Sequence, residues 1–156
     1  MNLRSFSNRF LYAIILAIPV TFIACSKDDN NSEPKNIVHF SAVLDQAQET
    51  PPTGESGTGT CTATYDTTTN LLTYGLTWTG LTGAPTAMHF HKADIGVPGA
   101  VEIPIVGFSA TTSGSFSGSA IVDQSEEEDL LENKFYVNIH TAAHPGGEIR
   151  GQLIKQ

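Results

Sequence analysis

From Ile37 onward the chain reads in twos. Val38, Phe40, Ala42 and Leu44 alternate with His39, Ser41 and Val43, the period of a half-buried strand. Thr58 to Tyr65 alternates threonines with Cys61, Ala63 and Tyr65, so Cys61 reads as a small core residue. Leu72, Tyr74, Leu76 and Trp78 alternate with Thr73, Gly75, Thr77 and Thr79, and the polar turn Asp66–Asn70 joins the two runs into a hairpin. Thr86 to His91 predicts a further strand, with Met88 and Phe90 facing one way and His89 and His91 the other. Val101, Ile103 and Ile105 mark another, in which Pro104 implies an edge or a bulge. Ser115 to Val122 adds one more, with small residues around Phe116.

The last stretch, Phe135 to Leu153, has two halves. Phe135, Val137 and Ile139 share one face; Tyr136, Asn138 and His140 share the other. Pro145-Gly146-Gly147 is a turn, since proline fixes φ and glycine admits positive φ. Ile149, Gly151 and Leu153 then point inward, and Glu148, Arg150 and Gln152 outward. The result is a hairpin whose polar, outward face carries His140, Glu148 and Arg150, with His144 near the turn.

One stretch reads as a helix. Ser125 followed by Glu128 is a capping-box pattern, and the acids of Glu126–Asp129 suit the positive end of a helix dipole. Short strands, frequent turns and a single short helix predict an all-β fold. The expectation is an antiparallel Greek-key β-sandwich or barrel of about seven or eight strands.

The N-terminal residues read differently. Arg4 and Arg9 precede an apolar run, Phe10–Ala24, that is short for a membrane span and fits a secretory signal. Phe22-Ile23-Ala24-Cys25 resembles a bacterial lipobox, which implies that residues 1–24 are removed and that Cys25 is lipidated. Residues 25–36 read as a flexible tether and 37–156 as the folded domain. Ser26-Lys27-Asp28-Asp29 resembles the acidic tether of surface lipoproteins in some Gram-negative bacteria. The expected location is the cell envelope, anchored to the outer membrane, with display on the outer surface implied by that tether.

Charge narrows the partners. The chain has 8 basic and 16 acidic residues. Arg4 and Arg9 leave with the signal and no acid does, so the mature chain carries 6 against 16. An acidic protein without a basic stripe is unsuited to nucleic acid. With Cys25 lipidated, Cys61 stands alone, and the exported domain is held by its core rather than by a disulfide. The expected partners are the membrane, through Cys25, and an extracellular or periplasmic protein or glycan.

The candidate chemistry lies in the histidines. His89 and His91 are two apart on one strand, so both rings leave the same face about 7 Å apart, within reach of one ion. His140 on the polar face of its own strand supplies a third ligand if the two strands are neighbours, and His144 is a fourth ligand or a neighbour. Imidazoles in this number suit copper or zinc. The alternative is that these rings only hydrogen-bond to Glu148, Thr141 or backbone carbonyls. His39 is solitary and reads as a polar strand residue. Asn138 and Glu148 are placed to orient a ligand ring, and Arg150 to attract an anion. No Gly-x-Ser-x-Gly elbow, His-Glu-x-x-His or phosphate loop is present, and Asp45, Glu49, Asp94 and Glu102 are scattered.

Several motifs in order resemble the CHRD domain, named for chordin and found in bacterial secreted proteins. They are Phe40-Ser41-Ala42, Glu49-Thr50-Pro51-Pro52, Gly80-Leu81-Thr82-Gly83, Met88-His89-Phe90-His91, Tyr136–Thr141 and Gly147–Leu153. That resemblance implies an extracellular β-sandwich binding module and carries no established chemistry. The order of motifs is also similar to copper-zinc superoxide dismutase. It would put His89, His91 and His140 in place of copper ligands and Arg150 in place of the arginine that guides the anion. A clear bridging histidine, a zinc loop with its aspartate and an intramolecular disulfide are lacking. The similarity therefore implies shared architecture and a vestigial or repurposed metal site rather than the enzyme.

Overall fold

Threonine on one side of a strand and large apolar side chains on the other leave only one way to face a core. In the computed structural model, which describes residues 35–156, this rule sets the wall of a nearly closed antiparallel barrel. Its strands are β1 (Ile37–Asp45), β2 (Thr58–Asp66), β3 (Leu71–Thr79), β4 (Pro85–Lys92), β5 (Ala100–Ile105), β6 (Gly114–Ile121), β7 (Phe135–Thr141) and β8 (Ile149–Gln152). A two-residue strand, β9 (Ile154–Lys155), adds to the edge of β1. The order around the sheet is β5-β4-β7-β8-β1-β2-β3-β6, so β5 and β6 flank the opening. The connections from β3 to β4 and from β6 to β7 skip neighbouring strands and make the Greek-key crossings.

β1, β2 and β3 follow the alternation closely. Phe40 pairs with Ala63 and Cys61 with Leu76, and all four are buried. Cys61 is a free thiol in the core, and burial pushes it up to about 12. Tyr65, Leu72, Met88, Phe90, Val137, Ile139, Ile149 and Leu153 complete the interior. Each such side chain contributes about 1.5–3 kcal/mol by leaving water. β5 is an end strand of the sheet, with a bulge against β4 between Phe90 and His91, as Pro104 implied.

The helical segment begins earlier than the capping box implied. A 3-10 turn over Gln124–Glu126 runs into α1 (Glu127–Leu131). The cap is Asp123, whose carboxylate accepts from the Ser125 backbone N–H at 2.9 Å and from its hydroxyl at 2.7 Å. Asp123 wins because a carboxylate placed before the turn accepts both Ser125 donors at once. The acids that follow are paired: Lys92 with Glu126 and Asp129, and Lys134 with Asp129 and Glu132.

β7 and β8 depart from half-burial: every residue of both strands is buried. Two loops lie over the face expected to meet solvent. From the loop after β1, Gln48 accepts from the Gln152 N–H, Thr50 from Arg150, and Thr53 donates to the Glu148 carbonyl. From the loop after β4, the carbonyls of Ala93 and Asp94 accept from Gln152 and Arg150. The outward polar residues therefore bond to loops instead of water. Asn36 is tied to Asp66 and Thr67 at the start of the domain. The signal segment and Cys25 lie outside the described residues. Among the described residues no helix is long and apolar enough to cross a membrane.

Candidate metal centre

β4 and β7 are neighbours, with Ala87 opposite His140 and His89 opposite Asn138. That adjacency brings His89, His91 and His140 together. One ring nitrogen from each lies within 4.8 Å of the other two. His91 and His140 are 7% and 8% exposed, whereas His89 is half-buried, so the group opens to solvent on the His89 side.

The hydrogen bonds fix which nitrogen of each ring faces the group. His140 Nδ1 lies 3.0 Å from the Pro145 carbonyl and His91 Nδ1 lies 3.1 Å from the Gly99 carbonyl. A carbonyl only accepts, so both Nδ1 atoms carry the proton and both Nε2 atoms carry a lone pair. The His140 Nε2 lone pair accepts from His89 Nδ1 at 3.1 Å. The His91 Nε2 atom is buried and has no hydrogen-bond partner among the described residues. Burial, and then the neighbouring histidines, lower the pKa of both His89 and His140. Neutral imidazole is the ligand form, so the environment favours binding a cation over binding protons.

The remaining candidate residues take different places. Asn138 stands between His89 on β4 and Arg150 on β8, and its Oδ1 is buried without a partner among the described residues. Glu148 does not bond to a histidine ring. Its carboxylate accepts from the Thr82 N–H at 2.8 Å, the Thr82 hydroxyl at 2.5 Å and the Thr141 hydroxyl at 2.7 Å. Burial alone would raise its pKa, but these bonds hold it below the usual carboxylate value. His144 is not part of the three-histidine group; its Nε2 lies 3.1 Å from a Glu55 carboxylate oxygen. Arg150 is 2% exposed, with its guanidinium 3.4 Å from the centre of the Tyr136 ring and bonded to Thr50, Asp94 and Gln152.

Four neighbours went unread in the sequence. The Gly99 and Pro145 carbonyls are backbone groups with no residue-type signal. Tyr136 was legible only as a polar-face residue, yet its ring stacks on His91 at 4.8 Å and 4°. Glu49, in the loop after β1, is 8% exposed, and its Oε1 has no partner among the described residues. Burial pushes Glu49 up to about 7, against the pull of Arg150.

A family model for the CHRD domain matches residues 40–153. The chain belongs to the CHRD domain family. The match spans the strands from β1 to β8 and so includes every residue of the three-histidine group. No curated protein and no solved structure matches the chain. What this CHRD domain can do chemically therefore rests on its own side chains. Three imidazoles each bring a ring nitrogen within 4.8 Å of the other two, and two of the rings are oriented by backbone carbonyls.

Proposed function

We propose that this CHRD domain is a metal-binding module of the cell envelope, holding one copper or zinc ion on His91 Nε2, on His140 Nε2 and on His89 Nδ1, whose proton moves to Nε2 of the same ring when the ion binds. One observation carries the proposal: His91 Nε2 is a buried lone pair with no partner among the described residues, on a ring grouped within 4.8 Å of the ligand nitrogens of His89 and His140. A buried polar atom left unsatisfied costs about 1–3 kcal/mol, and a cation at that point removes the cost. Three nitrogen ligands suit zinc or copper and leave a coordination position on the open His89 side. Bound there, the ion would supply Lewis acidity or, as copper, one-electron chemistry.

The proposal is binding rather than dismutation. Arg150, which the dismutase similarity would place beside an anion, is buried and its donors are turned to Thr50, Asp94 and Gln152. The lipobox-like residues ending at Cys25 support anchoring to the outer membrane, and the acidic tether supports display outward. Elemental analysis tests the metal: the full chain, untagged and extracted in detergent without chelators, should carry close to one copper or zinc ion. A content at background would overturn the proposal. Cys25→Ser should release the protein from the membrane fraction, and an unchanged fraction would argue against lipidation.

A further inference from the structure

We infer that Tyr136 is a positioning residue for the metal ligand His91, acting through its ring and through its hydroxyl; this rests on the metal-binding proposal above. The two routes are physically separate. The Tyr136 and His91 rings are stacked at 4.8 Å and 4°. The Gly99 N–H donates to the Tyr136 hydroxyl at 3.1 Å, and the Gly99 carbonyl accepts from His91 Nδ1 at 3.1 Å. Tyr136 thus holds the plane of the imidazole directly and holds the carbonyl that chooses its tautomer.

Each part of the clamp is itself fixed. β7 runs between β4 and β8, so His91 and Arg150 lie against opposite faces of the Tyr136 ring. The Arg150 guanidinium, 3.4 Å from the ring centre, packs the phenol from the β8 side. Tyr136 is 3% exposed. Gly99 accepts no other side chain, because a Cβ there would overlap the Lys92 carbonyl. The segment that carries the carbonyl therefore runs close against the Lys92 backbone and is anchored at its amide by the Tyr136 hydroxyl. His140 is oriented instead by two hydrogen bonds, to the Pro145 carbonyl and to His89.

Outer-shell partners of a metal-bound histidine typically matter about 10- to 100-fold in affinity, because they set the tautomer and the ring angle. Tyr136→Phe keeps the stack and removes only the hydroxyl that anchors Gly99. Tyr136→Leu removes both. The test is a chelator-competition titration of copper(II) and zinc(II) on the untagged full chain and both variants. It is accompanied by the copper(II) electron paramagnetic resonance spectrum and by nitrogen-15 NMR of the histidine rings without metal.

In the wild type, His91 should titrate metal and show the Nδ1–H tautomer. In Tyr136→Phe, affinity should fall about tenfold, the copper hyperfine splitting should change, and His91 should show a mixture of tautomers. Wild-type affinity, spectrum and tautomer in Tyr136→Phe would overturn the inference, as would a variant that loses thermal stability while binding metal unchanged. Should Tyr136→Leu fail to fold, Tyr136→Phe and the wild-type tautomer still decide. A wild type that takes up neither metal overturns the metal-binding proposal instead, so the two failures are distinguishable.

Discussion

His89 Nδ1 donates to His140 Nε2 across 3.1 Å, and His140 in turn donates through Nδ1 to the Pro145 carbonyl. This relay brings the two rings into contact and leaves the Pro145 bond pulling the His140 pKa upward. Burial is the main cause of their lowered pKa values, with the neighbouring histidines adding to it.

The pH dependence of metal binding follows from that. Protons compete with the ion only below the folded-state pKa values, which lie under the ordinary 6.5 for both rings. Affinity should stay level from pH 8 to about 6.5 and fall below that. The stability of the metal-free domain has the same sign. These groups favour the folded state above the unfolded pKa, and that contribution is lost as pH falls through the folded values. Affinity that already declines between pH 8 and 7 in a competition titration would contradict the assignment.

Glu49 runs the other way. Its folded pKa is raised to about 7, so its neutral form is preferred in the fold, and stability is lost as pH rises from about 4.5 through 7. Glu49→Gln should remove that decline and stabilise the domain at pH 8 by on the order of 2 kcal/mol. Urea denaturation at pH 5 and pH 8 checks it. An equal effect of the substitution at both pH values would show that the carboxyl is ionised throughout.

Glu148 is a strut rather than a partner of the histidines. It accepts three hydrogen bonds that tie the turn before β4 to the end of β7. Glu148→Gln turns an amide donor toward Thr82 and Thr141, and should cost about 2–4 kcal/mol, since bonds to a charged acceptor are worth more than neutral ones. Its carboxylate pKa is lowered, so its contribution is present above about 4.5 and lost as pH falls below it. A change under 1 kcal/mol in chemical denaturation would contradict the strut role.

Much of the barrel was legible in the sequence where a strand has one wet face. β2 and β3 place threonine outward and large residues inward, and the period of two follows directly. β7 and β8 misled because polar side chains look outward whether water or a loop receives them. Here Gln48, Thr50, Ala93 and Asp94 receive them, and no local pattern announces that long-range closure. Of the site, the spacing of His89 and His91 was visible, while His140 depended on β4 and β7 being neighbours. His144 read as a fourth ligand or a neighbour because its partner, Glu55, is 89 residues away. Asp123 caps the helical segment in place of Ser125 because a carboxylate two residues earlier takes both serine donors.

The most direct measurement is calorimetric titration of copper(II) and zinc(II) into the untagged full chain and its His91→Ala variant at neutral pH. His91 Nε2 is a buried ring nitrogen without a hydrogen-bond partner among the described residues, so its removal should abolish micromolar binding while leaving the fold intact by circular dichroism. The expected result is one ion per wild-type chain and none on the variant. Binding that survives unchanged in His91→Ala, or no micromolar binding of either ion by the wild type, would contradict a three-histidine centre.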